Sequence, residues 1–229
     1  MITIGRVGQM RHRSVLQFGL VFCFILTTTC VLGDDLLPPV WRGAPNTTFQ
    51  AWEFSDDSHP AEPDVIMNPY GDSLATIYGE FNLPYRDTYW IDETYFEHEG
   101  LWRVGGSIAL DIPNDPILRP QKKIRLQITY DGGPATPEPG PTLFVYATDG
   151  AEVVQSELVQ QTILDDYFVH DVYDFVLEPN PSSETIWILP YYCHIDVDEI
   201  VVDTICVPEP STLLLLVTGL GLLAVSRRR

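Results

Sequence analysis

The residues best suited to chemistry lie near the C-terminal end of the chain, where a histidine and two aspartates alternate with other residues. His194, Asp196 and Asp198 are spaced two apart. Residues two apart on a β-strand project from the same face, so this spacing predicts three ligands for a metal ion. The same spacing is also typical of a solvated acidic face on a strand, and we favour that interpretation.

Aromatic side chains form the second candidate site. Sugar rings stack on exposed aromatic rings, and Tyr85, Tyr89 and Trp90 lie close together in the sequence. We therefore predict a glycan-binding site on these three residues. Trp52 and Trp187 lie inside strand patterns, and we predict that both belong to the core.

The sequence contains no strong catalytic motif. It lacks the His-Glu-x-x-His, Gly-x-Ser-x-Gly, phosphate-loop and dinucleotide-binding patterns. Carboxylate pairs of the glycosidase type are expected by chance among so many acidic residues. We therefore predict a non-catalytic protein. A carbohydrate-binding module is the alternative, and a secreted polysaccharide hydrolase is a third hypothesis. No cofactor is required, although the charge permits structural Ca²⁺.

Charge is distributed unevenly along the chain. The formal net charge is −19, and all but one of the 32 acidic residues lie in 34–206, whereas six of the 13 basic residues lie in the two chain ends. The segment 34–206 therefore carries about −24. A surface of that charge repels DNA, RNA and anionic lipid headgroups, which excludes nucleic acid as a partner.

Hydrophobic periodicity predicts strands through most of 34–206. Apolar and polar residues alternate over 123–130 and over 107–112. A helix is the alternative for 151–164, but β-favouring residues are frequent there, and we predict a strand. Many short strands separated by turn residues predict an all-β fold, a two-sheet antiparallel β-sandwich of jelly-roll type.

Residues 1–33 have the pattern of a signal peptide. Three arginines form a basic start, an apolar run follows over 15–26, and small or branched residues precede Asp34. Cys30 raises a lipoprotein alternative, but the threonines before it differ from a lipoprotein pattern. We predict cleavage before Asp34 and export of a single domain, 34–206.

Removal of the signal peptide leaves two cysteines, Cys193 and Cys206. A disulfide is the default in an oxidising compartment. A strand over 197–205 would separate the two residues by roughly 30 Å at ~3.3 Å per residue, whereas bridged Cα atoms lie within about 7 Å of each other. We therefore favour free or intermolecularly bonded thiols over an intramolecular bridge.

Residues 207–229 differ in composition from the rest of the chain. A proline-glutamate-proline start is followed by an apolar run over 211–225 and by a cluster of arginines. As a helix the run is short for a ~30 Å bilayer core, and the arginines hold its end on the cytoplasmic side. An ordinary membrane anchor is one interpretation. The proline-glutamate-proline start consists of Pro208, Glu209 and Pro210, and the arginine cluster consists of Arg227, Arg228 and Arg229.

This order of Pro-Glu-Pro, apolar run and arginine cluster closely resembles the PEP-CTERM sorting signal of bacterial exported proteins. The resemblance implies that an exosortase-type membrane protease recognises 208–210. It implies transient membrane insertion through a short transmembrane sorting helix, 211–225. It also implies delivery to the cell surface or the extracellular matrix, where extracellular polysaccharide is a further candidate partner.

Two weaker resemblances concern the domain itself. The run Val-Asp-Glu-Ile-Val-Val at 197–202 resembles the closing strand of carbohydrate-binding-module and galactose-binding-like jelly rolls. Stretches such as Trp-Arg-Gly at 41–43 and Asn-Pro-Tyr-Gly at 68–71 resemble uncharacterised PEP-CTERM proteins of planctomycete-like bacteria. That group implies one exported domain and brings no activity with it.

Overall fold

The computed structural model describes residues 35–79, 87–92, 98, 100–131, 140–165, 167–191 and 193–208. These residues form β-strands and no α-helix, and all of them belong to one unit, Leu32–Arg229. The strands are β1 Thr47–Trp52, β2 Val65–Met67, β3 Leu74–Tyr78, β4 Tyr89–Ile91, β5 Leu101–Val104, β6 Ser107–Pro113, β7 Gln121–Asp131, β8 Thr142–Ala147, β9 Glu152–Ile163, β10 Phe168–Glu178, β11 Ser183–Leu189 and β12 Ile195–Val207.

The strands pair in two antiparallel sheets. The large sheet has the order β2-β1-β12-β7-β10-β9, and β5 pairs with the start of β12 and with β4. The small sheet has the order β3-β6-β11-β8. The chain changes sheet at β2–β3, β3–β4, β5–β6, β6–β7, β7–β8, β8–β9, β10–β11 and β11–β12. This alternation is consistent with a jelly roll. The predicted all-β fold with two antiparallel sheets is confirmed.

Apolar side chains from both sheets form one core. Every second residue of β7 is buried in it, including Leu126 and Ile128, because alternate residues of a strand face the same side. Leu110 of β6 and Ile186 of β11 enter the same core from the small sheet. Trp52 is fully buried there, as predicted from its strand pattern.

The segment with the ambiguous periodicity is a strand. β9 pairs with β10 along its length and forms an edge of the large sheet. Its side chains are exposed on both faces. Because neither face of β9 is buried, apolar and polar residues need not alternate along it. The sequence of this segment was therefore also compatible with a helix. The pairing also contains two register shifts, at Val172/Tyr173 and at Val176/Leu177.

The segment that precedes β1 contacts the outer face of the large sheet. The Arg42 guanidinium donates to both oxygens of Asp203 on β12, each at 2.6 Å, and also binds Asp35. Burial alone would lower the pKa of Arg42, but the hydrogen bonds to the two carboxylates hold it above the ordinary value. Further along, the Leu37 amide donates to the Gln127 side chain at 2.9 Å.

The predicted signal peptide, 1–33, and the tail from residue 209 onward lie outside the described residues. Pro208 is exposed and follows β12 directly. Within the described part of the chain, no helix has the length and apolar character needed to cross a membrane. Cys193 is exposed, Cys206 is buried, and both are free thiols, so the prediction against an intramolecular disulfide is confirmed.

Candidate functional site

The outer face of the small sheet carries a regular array of side chains. Inward-facing positions such as Ala75, Ile108, Ile186 and Val145 alternate with outward-facing ones along each strand. The strand register places three outward-facing residues from each strand side by side. In strand order they are Leu74, Thr76, Tyr78; Asp111, Ala109, Ser107; Thr185, Trp187, Leu189; and Tyr146, Phe144, Thr142. We call this set the aromatic face.

Two aromatic rings meet across an intervening strand. Trp187 of β11 and Tyr78 of β3 are stacked, with ring centroids 5.5 Å apart and ring planes 26° apart. Between them lies β6, whose residue Ala109 pairs in register with Trp187. Ala109 faces outward, yet it is only 2% exposed. A small residue at this position leaves room for large rings to lie over the strand.

The edge strand β8 adds two further rings. Phe144 is 51% exposed and Tyr146 is 71% exposed. Phe144 pairs in register with Trp187. Together with Ser107 and Leu189, these side chains line a shallow groove of about 630 Å³. Exposed aromatic side chains clustered in a groove are a feature of binding surfaces rather than of ordinary surface positions.

The aromatic face is nearly uncharged. Asp111 is the one residue of the set that carries a charge, and it accepts a hydrogen bond of 2.6 Å from the Thr185 hydroxyl. The whole chain has a net charge of −19. Threonine and serine hydroxyls supply the other polar groups of the face, as donors and as acceptors.

The structure separates the three residues of the predicted metal site. The pairing of β12 with β7 shifts register between Val197 and Glu199, so Asp198 occupies a bulge. The regular alternation that would align His194, Asp196 and Asp198 is therefore broken, and His194 precedes the strand in an exposed position.

Each of the two aspartates has a different partner. Asp196 is 2% exposed and holds the Arg103 guanidinium with both oxygens, at 2.7 and 2.6 Å. Asp198 binds Nδ1 of His98 at 2.6 Å. Within the described residues, no group of three or more His, Cys, Asp or Glu side chains is arranged to hold a metal ion.

The predicted glycan site on β4 is divided between two faces. Tyr89 and Trp90 are neighbours on the strand, so their rings point to opposite sides. Trp90 packs against the core and donates from Nε1 to the Phe54 carbonyl at 3.0 Å. Tyr89 accepts a hydrogen bond of 2.9 Å from Arg103. Tyr85 lies outside the described residues.

The sequence interpretation of Trp187 was wrong, and the aromatic face was missed for that reason. Trp187 was assigned to the core, but Ile186 and Ile188 on either side of it fill the core positions of β11. A signal was present in the sequence. In β8, apolar residues occupy both alternating sets, Leu143 with Val145 and Phe144 with Tyr146, which indicates a strand with an apolar face on each side.

Comparison with known proteins identifies one segment. Residues 207–229 match the PEP-CTERM protein-sorting motif, as the resemblance predicted. The match begins at the last residue of β12. The motif implies an exported protein that is targeted to exosortase and sorted, in association with the membrane, to the cell surface. No curated protein and no solved structure matches the chain.

Proposed function

We propose that this protein is a non-catalytic surface or matrix protein that binds a neutral polysaccharide on the aromatic face. The observation that carries the proposal is the stack of Tyr78 and Trp187 beside the exposed rings of Phe144 and Tyr146. Sugar rings present apolar C–H faces that pack on such rings. The rings belong to paired strands of one sheet, so the backbone positions that carry them are set before the ligand binds.

The polar groups of the aromatic face suit the rest of a sugar. Hydroxyl groups surround the rings, and each of them can donate and accept a hydrogen bond. Thr76 and Ser107 lie beside the stacked pair, and Thr142 and Thr185 lie beside the rings of β8. Rings for packing combined with a few polar groups for orientation are the usual composition of a ligand site.

Charge indicates what kind of polysaccharide fits. The chain as a whole is strongly acidic, and no basic residue belongs to the aromatic face. An anionic polymer would be repelled by the surrounding surface and would gain no ion pair at the rings. A neutral polymer meets neither penalty.

The composition of the face also supports binding rather than hydrolysis. Glycosidases of the usual type place two carboxyl groups on either side of the bond that is cleaved. Asp111 is the one carboxylate of the aromatic face, and its neighbour Thr185 donates to it. This arrangement supports the non-catalytic hypothesis over the secreted hydrolase.

A retention experiment tests the proposal. The full chain is passed through gels that contain neutral polymers (xylan, mannan, hydroxyethylcellulose) or anionic ones (alginate, hyaluronate), with and without EDTA. We expect retention by at least one neutral polymer, with or without the chelator. Trp187→Ala and Tyr146→Ala should each weaken retention by about tenfold, as expected for the loss of one stacked ring.

Tyr89→Ala is the matched control, because it removes an exposed tyrosine from the predicted site on β4 instead. Loss of retention in Tyr89→Ala alone would place the glycan site on β4 and overturn the proposal. Shortening of the polymer by the wild-type chain would favour the hydrolase. Absence of retention on the whole panel would leave a surface protein that does not bind glycans.

A further inference from the structure

A lysine, an asparagine and a glutamate are buried together where the two sheets meet. Lys122 is the second residue of β7 in the large sheet, and Glu184 is the second residue of β11 in the small sheet. Asn114 directly follows β6. The side chains of Lys122 and Glu184 are completely buried, and Asn114 is 4% exposed.

The three side chains contact one another in a closed ring. Lys122 Nζ lies 2.5 Å from Glu184 Oε1 and also contacts the side-chain oxygen of Asn114. The Asn114 amide nitrogen donates to the other oxygen of Glu184. The amide carbon of Asn114 is bonded directly to the oxygen that Nζ contacts, so the amine and the amide group of the proposed reaction are neighbours.

Burial changes the chemistry of the lysine. Removal from water disfavours the ammonium form and lowers the pKa of Lys122, against the opposing effect of the Glu184 charge. A desolvated lysine is a recognised nucleophile because its neutral amine becomes accessible. Glu184 contacts both the amine and the amide nitrogen, so one carboxylate reaches the group that loses a proton and the group that must gain one.

We propose that Lys122 and Asn114 form an intramolecular isopeptide bond, with Glu184 as the catalytic residue. Lys122 Nζ attacks Cγ of Asn114 and forms a new C–N bond. Glu184 takes a proton from Nζ and delivers it to the amide nitrogen of Asn114. The original C–N bond of the side chain then breaks, and ammonia leaves. The reaction consumes no water, oxidant or cofactor.

This cross-link does not depend on glycan binding. It would join the end of a small-sheet strand, β6, to the start of a large-sheet strand, β7. The described residues contain no disulfide, because Cys193 and Cys206 are both free. A simple ion pair is the other explanation for the burial of Lys122 beside Glu184. Unlike the isopeptide bond, it would leave the mass of the chain unchanged.

Tryptic mapping of the purified full chain tests the proposal. Asn114 and Lys122 fall in one peptide, 104–123, because Pro120 protects Arg119 from cleavage. We expect this peptide to be lighter by roughly 17 Da, the mass of ammonia, and to resist cleavage after Lys122. Its fragment spectrum should lack backbone ions between the two cross-linked residues. A peptide of full mass that is cleaved after Lys122 would overturn the proposal.

Variants exclude the other source of the same mass loss. A succinimide formed by Asn114 with its own backbone also releases ammonia, but it leaves Lys122 open to trypsin and persists in Lys122→Arg. The isopeptide bond is absent from Lys122→Arg and retained in Lys123→Arg, which changes the exposed neighbour. Glu184→Gln keeps the size of the side chain but cannot carry the proton, so we expect the unlinked peptide. A link that persists in Glu184→Gln would contradict the role of Glu184.

Discussion

Tyr78 and Trp187 stack with ring centroids 5.5 Å apart although a whole strand, β6, lies between their strands. The contact is made over Ala109, which faces outward and is nonetheless covered. The stacked pair therefore depends on the absence of a large side chain at this position. Three strands of the small sheet cooperate to build one part of the aromatic face.

A larger side chain at Ala109 should weaken glycan binding by the aromatic face without unfolding the protein. In Ala109→Leu the added atoms occupy the space over which the rings meet, and we expect retention on the neutral polymer to weaken by about tenfold. Affinity electrophoresis measures this effect. Tyr89→Ala, which changes an exposed residue outside the aromatic face, is the control. Unchanged retention in Ala109→Leu would contradict a role for the stacked pair.

The ion pair of Arg103 and Asp196 should stabilise the junction of β5 with β12. Arg103→Met leaves the Asp196 carboxylate buried without its partner. We expect the free energy of unfolding to fall by roughly 2–4 kcal/mol. This is somewhat less than the cost of breaking a fully buried pair, because the Arg103 side chain is still 24% exposed. Urea denaturation measures the change. The double variant Arg103→Met/Asp196→Leu should recover most of it, whereas a loss below about 1 kcal/mol in the single variant would indicate a solvent-screened pair.

One buried and one partly buried tyrosine, Tyr130 and Tyr173, should make stability fall at alkaline pH. Tyr130 and Tyr173 donate to the same oxygen of Asp171, at 2.9 and 3.1 Å. Burial, and then the Asp171 charge, raises the pKa of each above the ordinary 10.0. The folded state therefore holds these protons more tightly than the unfolded state. The resulting stabilisation is complete below the unfolded pKa and is lost as the pH rises above it.

Urea denaturation between about pH 9 and pH 11 tests this behaviour. The free energy of unfolding should fall with rising pH in the wild type and should fall less steeply in Tyr173→Phe. Tyr146→Phe changes an exposed tyrosine and should retain the wild-type slope. Equal slopes in all three proteins would show that Tyr173 titrates normally in the folded state.

The two thiols should react at very different rates. Cys193 is exposed, whereas Cys206 is 2% exposed and its pKa is raised, chiefly by burial. A thiol reacts as the thiolate, so both effects slow Cys206. Iodoacetamide labelling followed by peptide mapping should modify Cys193 in the native protein and Cys206 only after denaturation. Labelling of both at one rate would place Cys206 in a locally open region.

The fold could be predicted from the sequence because apolar and polar residues alternate regularly wherever one face of a strand is buried. Alternation in β7 and β6 predicted both strands, since each has one face in the core. For β9 the alternation is missing because both faces are exposed, and residue preference alone identified the strand.

The site was harder to predict because its residues lie far apart in the sequence. Tyr78 and Trp187 meet only through the order β3-β6-β11, and no local pattern reveals that pairing. The metal prediction assumed regular alternation and therefore missed the bulge at Asp198. The cluster of Asn114, Lys122 and Glu184 likewise forms only when the two sheets come together.

Chemical-shift mapping tests most directly whether the aromatic face binds the polysaccharide. The ¹⁵N-labelled chain is titrated with an oligosaccharide of whichever neutral polymer retains it. We predict shifts that concentrate on Thr76, Ala109, Phe144 and Trp187, including the Trp187 indole N–H. Shifts that concentrate instead on Tyr89 and Trp90, with Trp187 unaffected, would contradict the account.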